Sequence, residues 1–206
     1  MDHAALLLDV SRETIERLEH YQRLLLQWTR RINLIAPSTI STSWKRHIVD
    51  SAQIFELLPQ NSAHLVDIGS GGGLPGLVVA ILAIEKAPLL KTTLVESDQR
   101  KAVFLRTVVR ELGLSTAIQA VRIESVSDMQ ADVLTARALA PLPKLMGYAV
   151  KLLKPDGTAL FQKGRTFDQE VAQARETWDF DLQSYPSQTD QEARILQIKD
   201  IRRASN

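Results

Sequence analysis

The sequence predicts an α/β fold in which a mostly parallel, seven-stranded sheet follows a helical cap. Three observations lead to this prediction. From residue 64 onward, short apolar segments with strand character alternate with helical segments, the pattern of a parallel sheet. A glycine-rich turn joins the first strand to the first helix of this alternation. Two strand-like segments, 178–185 and 194–199, then follow each other without a helix between them, so the last strand is expected to run antiparallel.

The first 60 residues have helical patterns instead. Residues 12–32 place apolar side chains at steps of three and four, with Ser11 as the N-cap, which predicts an amphipathic helix. Residues 40–58 repeat this pattern up to Pro59. We therefore divide the chain into an N-terminal helical cap, residues 1–60, and a sheet domain, residues 61–206.

The elements of the sheet domain follow from apolar runs and from the residues that interrupt them. Gly113 ends one helix, and a Lys-Pro-Asp-Gly turn at 154–157 separates another helix from the fifth strand. The first five strands are predicted at 65–68, 92–96, 118–121, 132–136 and 158–162. The helices between strands are predicted at 75–85, 98–112, 142–153 and 168–177.

Composition excludes several classes of function. The chain has no cysteine, so it has neither disulfides nor a cysteine nucleophile, and its four scattered histidines predict no metal site. A net charge of +1 does not indicate a polyanionic partner. The longest apolar stretch, 74–84, is too short to span a bilayer, and Met1, Asp2 and His3 lack the basic start of a signal peptide. We expect a cytoplasmic monomer.

The glycine-rich turn predicts a site for a nucleoside-containing cofactor. Asp67 lies two residues before Gly69, where the turn begins, and the absence of side chains lets a ligand approach the backbone and the helix N-terminus. Glu96 ends the second strand, at the place where an acid holds a ribose.

Residues 71–76 match the G-x-G-x-x-G pattern of dinucleotide sites, but three features favour S-adenosylmethionine (SAM). Asp67 would repel a pyrophosphate, whereas it suits the ammonium of methionine. The residues after 60 are too few for a dinucleotide domain and a catalytic domain. The terminal strand pair fits a Rossmann-like SAM-dependent methyltransferase. A dinucleotide site, or a turn that only allows close packing, remain open alternatives.

Ligands of open α/β sheets bind at the carboxyl ends of the strands, and the residues there are the site candidates. Near the end of the third strand, Glu124 could accept the adenine amino group. Arg137, after the fourth strand, could bind a cofactor carboxylate or a substrate phosphate with its planar guanidinium. The predicted cofactor contacts are Asp67, Gly69, Gly71, Leu74, Glu96, Ile123, Glu124 and Arg137. Lys163 adds a cation after the fifth strand.

The segment after the fourth strand restricts the methyl acceptor. Residues 135–138 read Thr-Ala-Arg-Ala, instead of the Asn- or Asp-Pro-Pro-aromatic segment with which many methyltransferases hold a base amine. The cysteine required for base C5 chemistry is also missing. An atom with a free lone pair, such as guanine N7, remains a suitable target, because positioning alone can supply the catalysis.

Five motifs in a fixed order carry a family resemblance. They are Arg-His-Ile-Val-Asp-Ser at 46–51, the glycine-rich segment at 67–76, Glu-Ser-Asp-Gln-Arg-Lys at 96–101, Arg-Ile-Glu at 122–124, and Lys-Gly at 163–164. The sequence resembles the bacterial small-subunit rRNA guanine-N7 methyltransferases, the RsmG (GidB) family. The resemblance implies SAM-dependent methylation of guanine 527 (rRNA numbering) in the 530 loop of 16S rRNA. The substrate would be the 16S rRNA itself, the small ribosomal subunit or an assembly intermediate of that subunit. It also implies an RNA-facing rim made of Arg46, His47, Arg122 and Lys163.

The roles of these rim residues leave alternatives open. No catalytic residue is certain; the candidates for positioning are Arg46, His47, Arg137 and Lys163. His47 precedes Asp50 by three residues, so a His–Asp pair on a helix surface is an alternative to a role in the cleft. The rival functions are a methyltransferase of another RNA, a protein or a small molecule, and a SAM-binding ribosome assembly factor.

Overall fold

The computed structural model describes residues 9–127 and 129–204 and begins with the helical cap. The N-terminal residues used above to argue against a signal peptide lie outside the described residues. Helix α1 spans Arg12–Thr29, and the Ser11 side chain caps it by accepting from the Thr14 N–H. A short 3-10 turn, Pro37–Thr39, precedes a π-helix, Trp44–Val49, which continues directly into α2, Asp50–Glu56. The second predicted helix therefore starts at residue 44 and has a wide first turn.

The sheet has seven strands in the order β3-β2-β1-β4-β5-β7-β6. Only β7 is antiparallel to its neighbours, β5 and β6, which confirms the predicted fold class. The strands are β1 (His64–Ile68), β2 (Lys91–Val95), β3 (Thr116–Gln119), β4 (Ala131–Arg137), β5 (Leu153–Lys163), β6 (Trp178–Pro186) and β7 (Arg194–Arg203). The other helices are α3 (Gly76–Lys86), α4 (Gln99–Leu112), α5 (Leu142–Leu152) and α6 (Phe167–Arg175).

The bounds of several elements of the sheet domain differ from the prediction: α6 ends at Arg175, β7 runs to Arg203, and β3 and β5 begin earlier. Strand β3 starts two residues earlier than 118, because Thr116 pairs with Thr92 of β2 and their hydroxyls meet at 2.7 Å. Residues 154–157 are part of β5 and do not form a separate turn. The pairing with β4 shifts across them, from Leu153 to Thr158, so they are accommodated as an irregularity within the strand.

The cap is fixed by packing on the helices that cover one side of the sheet. Tyr21 and Leu25 of α1 are fully buried in a cluster with Leu77 of α3 and Phe104 of α4. On the other side, α5 and α6 pack against the sheet through a second cluster. The carboxyl ends of β1, β2, β4 and β5 lie at one edge, where the cap meets the sheet. In residues 9–127 and 129–204, no helix combines the length and hydropathy that a membrane span requires.

Candidate functional site

The turn after β1 exposes bare backbone. Gly69, Gly71 and Gly73 all have positive φ angles, of 65°, 54° and 87°, which favour glycine. The Gly69 N–H donates to the carbonyl of Val95 at 2.9 Å and so ties the turn to β2. A Cβ atom on Gly71 would meet nothing closer than the Gly69 carbonyl at 3.8 Å, so there is room for a ligand at this glycine.

Glu96 and the glycine turn lie together, and the ribose contact of Glu96 stays a prediction. One carboxylate oxygen of Glu96 accepts from the Gly71 N–H at 2.8 Å, and the other accepts from the Asp98 N–H at 2.8 Å. Each oxygen retains a lone pair that can accept from a ribose hydroxyl. The open backbone at Gly71 beside this carboxylate fits the nucleoside part of SAM.

Asp67 lies beneath the turn and is fully buried. Its Oδ1 accepts from the Thr135 hydroxyl at 2.8 Å, and its Oδ2 has no hydrogen-bond partner among the described residues. Burial raises the pKa of Asp67 to about 6. A Cβ on Gly76 would lie 2.8 Å from this carboxylate, so glycine is required where α3 begins. The contact of Asp67 with a methionine ammonium stays a prediction.

The predicted site residues after β3 lie on a separate turn that contacts α5. Glu124 lies on an exposed 3-10 turn, Ile123–Ser125, and accepts from the Tyr148 hydroxyl of α5 at 2.6 Å. Ile123 is half-buried against the core, and Arg122 is exposed. Leu74 is buried at the start of α3. Glu124 is therefore bonded to α5 in this structure, and its contact with adenine stays a prediction.

Arg137 ends β4 and points under the π-helix. Its Nη2 donates to the Arg46 carbonyl at 2.9 Å and to His47 Nδ1 at 3.0 Å, while its Nη1 lies 3.6 Å from Asp50 Oδ2. Burial lowers the pKa of Arg137 from its ordinary value. The next residue, Ala138, has a φ of 51°, a strained conformation for a residue other than glycine. The guanidinium thus holds the cap against the end of β4.

His47 is a neutral, buried side chain with both ring nitrogens occupied. Because Arg137 can only donate, His47 Nδ1 accepts, and Nε2 donates to the Thr39 hydroxyl at 2.8 Å. Burial and then the nearby Arg137 lower the pKa of His47 to about 4. The alternative of an exposed His–Asp pair is not observed, since His47 and Asp50 are both buried and both contact Arg137.

We expect His47→Gln to remove the loss of stability that His47 causes as the pH falls below 6.5. The pKa of His47 is about 4 when folded and 6.5 ordinarily, so the unfolded chain binds more protons in this window and stability falls as pH drops. Asp67 acts oppositely, because its folded pKa of about 6 exceeds 3.8 and its contribution is lost as pH rises through that interval. The Asp67 contribution is the same in both proteins, so the free energy of unfolding at pH 7 minus that at pH 5 should be lower by about 2 kcal/mol in the variant, as measured by urea unfolding. Equal differences in both proteins would contradict this assignment.

Sequence reasoning missed the role of Asp50. Its carboxylate accepts hydrogen bonds from Gln162 at the end of β5 and from Ser187 and Thr189 in the β6–β7 loop, at 2.7, 3.1 and 2.6 Å. The one feature of the sequence that could have indicated this role is the position of Asp50, four residues after Arg46 in a cationic segment. Asp50 joins the cap, the sheet and the C-terminal hairpin.

A cleft of about 520 Å³ opens between these elements. Three of the predicted cations, Arg46, Arg137 and Lys163, line it. Each is paired within the chain: Arg46 with Asp190 at 2.6 Å, Lys163 with Glu170 at 2.6 Å, and Arg137 with Asp50. His47 lies behind the wall, in contact with Arg137, whereas Arg122 is not among the lining residues.

Comparison with known proteins places this architecture in one family. A family model described as rRNA small subunit methyltransferase G matches residues 14–196. Curated proteins named "Ribosomal RNA small subunit methyltransferase G" are similar over nearly the whole chain. One from a Ruegeria species is 49% identical over 95% of both chains, and one from Cereibacter sphaeroides is 49% identical over 94% of both.

Solved structures share the fold at low identity. An O-methyltransferase from Bacillus cereus, solved with SAH, superimposes with a TM-score of 0.60 at 13% identity, covering 96% of this chain and 95% of that one. A SAM-dependent O-methyltransferase from Thermotoga maritima gives 0.56 at 17% identity, covering 88% and 73%. The architecture is that of the SAM-dependent methyltransferases.

Proposed function

Since the chain belongs to the rRNA small subunit methyltransferase G family, we propose that it methylates N7 of guanine 527 in the 530 loop of 16S rRNA. Family membership makes the chain a SAM-dependent rRNA methyltransferase. The proposal adds to this the methylated nucleotide, guanine 527, and the methylated atom, N7. The observation that carries the choice of N7 is the absence of a free general base among the described residues that line the cleft.

The side chains near the cleft that could accept a proton are already engaged. His47 is neutral, but its two nitrogens are bonded to Arg137 and Thr39. Asp50, Asp190 and Glu170 are each paired with a cation. Guanine N7 carries a lone pair and no proton, so its methylation needs alignment and exclusion of water without a base. The cleft supports such chemistry better than methylation of an amine.

The cofactor supplies an electrophilic methyl group, and the chain supplies its position. We propose that Glu96 holds the ribose and that the backbone at Gly69 and Gly71 lies along the cofactor. Asp67, Leu74, Ile123, Glu124 and Arg137 complete the proposed contacts. Methyl transfer places a positive charge on the guanine ring and leaves a neutral thioether, so no proton must be removed.

The RNA is proposed to approach the cleft from the side of the π-helix. Arg46 and Lys163 line the cleft, and each has further N–H donors that can bind a phosphate while its internal ion pair is kept. Arg122, which is exposed outside the cleft, and His47, which positions Arg137, complete the proposed rim. We also propose that residues 1–60 form a cap on the methyltransferase domain, residues 61–206.

Tritiated SAM provides the test of substrate class. The purified protein is incubated with 16S rRNA, with intact small subunits from cells lacking the enzyme, and with protein and metabolite pools. Label in 16S rRNA, mapped by mass spectrometry to 7-methylguanosine at position 527, is expected. Label only in protein or metabolites would refute the proposal, and unlabelled RNA with normal SAM binding would favour an assembly factor.

We expect Glu96→Gln to raise the Kd for SAM by roughly 10- to 100-fold, the loss of about 1.5–3 kcal/mol for a hydrogen bond to a charged group. A glutamine amide must also turn an NH₂ group toward one of the two backbone N–H donors that Glu96 now accepts from. Isothermal calorimetry measures the change. Glu176→Gln, on an exposed glutamate, serves as the control and should leave Kd unchanged. A Kd for Glu96→Gln within twofold of the wild type would exclude the ribose contact.

A further inference from the structure

A second, shallow groove of about 600 Å³ lies along the exposed face of α5. Its walls carry three cationic side chains and two aromatic rings, and it shares no lining residue with the cleft described above. We call it the α5 groove and define it by Lys144, Tyr148, Lys151, Trp178 and Arg203.

The fold assembles this groove from separate parts of the sequence. Lys144, Tyr148 and Lys151 are spaced by four and three residues, so they share one face of α5. The two lysines are therefore about 10 Å apart along the helix axis. Trp178 opens β6 and is the register partner of Arg203, the last residue of β7, which brings Arg203 beside α5.

The cationic side chains of the α5 groove have fewer carboxylate partners than those of the cleft. The Lys151 ammonium donates to the backbone carbonyl of Glu124 at 2.8 Å. The Arg203 guanidinium lies 4.0 Å over the Trp178 ring. Among the described residues, neither has a carboxylate oxygen within 4.0 Å. Lys144 is 3.9 Å from Glu124, an exposed contact that contributes little.

This charge arrangement is complementary to a polyanion. The groove holds three cations against one carboxylate, Glu124, although the whole chain has a net charge of only +1. A guanidinium stacked on an indole keeps its N–H edge available to a phosphate. Tyr148 is half-buried, and the Lys144 ammonium lies 5.7 Å from the centroid of its ring, so a second cation of the groove is held against an aromatic side chain.

We propose that the α5 groove binds the sugar–phosphate backbone of the RNA substrate outside the target nucleotide. The proposal rests on the proposed function, because it assigns a second contact surface for the same substrate. Glu124 and Pro143 line one part of the groove, and they follow β3 and β4 at the edge of the sheet where the cofactor residues lie. Trp178 and Arg203 lie at the opposite edge of the sheet, because β6 begins and β7 ends there, so an RNA strand that follows α5 leads away from the cofactor residues.

The test compares two triple variants of the full-length protein. Lys144→Gln/Lys151→Gln/Arg203→Gln removes the cations of the groove. Arg23→Gln/Arg106→Gln/Arg110→Gln removes three exposed arginines from α1 and α4 and is the matched control for charge. Filter binding measures the Kd for deproteinised 16S rRNA across a salt series, and methylation of small subunits gives KM and kcat. The Kd for SAM and circular dichroism verify folding.

For the groove variant we expect the Kd for 16S rRNA to rise at least about 10-fold. The slope of log Kd against log salt should fall by about 2, since each single-strand phosphate contact contributes roughly 0.7. The KM for small subunits should rise while kcat and the Kd for SAM stay unchanged. The control variant should change each quantity much less.

Three results would overturn the proposal: an unchanged salt slope, an equal loss in the control variant, or a loss with small subunits but not with deproteinised rRNA. The last result would identify a ribosomal protein as the partner. Each of them leaves methylation by the wild-type protein intact. Failure of the proposed function itself would appear as wild-type protein that does not methylate rRNA in any form.

Discussion

Replacement of Asp50 by asparagine is expected to lower the free energy of unfolding by about 3 kcal/mol, the scale for breaking a buried ion pair. One oxygen of Asp50 accepts from Ser187 and Thr189, and the other accepts from Gln162 and faces the guanidinium of Arg137. With its NH₂ group toward Arg137, an asparagine would face a guanidinium that can only donate, and in the other orientation the Ser187 and Thr189 hydroxyls would have to change from donors to acceptors. The variant also leaves Arg137 without its buried counter-charge.

Urea unfolding at pH 7 measures this loss. Glu56→Gln is the matched control, because Glu56 lies in the same helix and is exposed, and a change within about 0.5 kcal/mol is expected there. A loss below 1 kcal/mol in Asp50→Asn would mean that the cap is held by apolar packing alone. Because Arg137 would lose its anchor, we also expect weaker methylation of the RNA by the folded fraction.

The second large effect is expected for Gly73→Ala, about 3 kcal/mol of stability. Gly73 has a φ of 87°, and a left-handed conformation costs a residue with a Cβ about 1–2 kcal/mol. The added Cβ would also lie 2.3 Å from Leu77 Cδ1 and 3.1 Å from Leu105 Cδ2, and such overpacking costs about 1–3 kcal/mol. A displaced turn should also raise the Kd for SAM.

Two other glycines separate these contributions. Gly113 has a φ of 63° and no atom within 4 Å of an added Cβ, so Gly113→Ala should cost only the conformational part, about 1 kcal/mol. Gly164 has neither a left-handed φ nor a close neighbour, so Gly164→Ala should be nearly neutral in stability. If thermal unfolding shows the same loss for Gly73→Ala and Gly113→Ala, the contacts with Leu77 and Leu105 contribute nothing.

Local sequence was sufficient to predict the architecture. Alternation of apolar strands with helices, and a terminal hairpin without a helix, predicted the seven-stranded sheet with β7 antiparallel. The prediction of the fold succeeded because periodicity and glycine content express local backbone preferences. The glycine turn and Glu96 follow neighbouring parallel strands and meet through a hydrogen bond of 2.8 Å, whereas their contact with a cofactor stays a prediction.

Tertiary structure alone decided how charge is distributed over the surface. Arg46, Lys163 and Arg137 have carboxylate partners 144, 7 and 87 residues away in the sequence, as the pairs with Asp190, Glu170 and Asp50 show. Arg203 reaches the α5 groove only through the pairing of β6 with β7. A sequence pattern reports which charges a segment carries. Which of them are neutralised depends on distances of a few ångströms between segments that packing brings together.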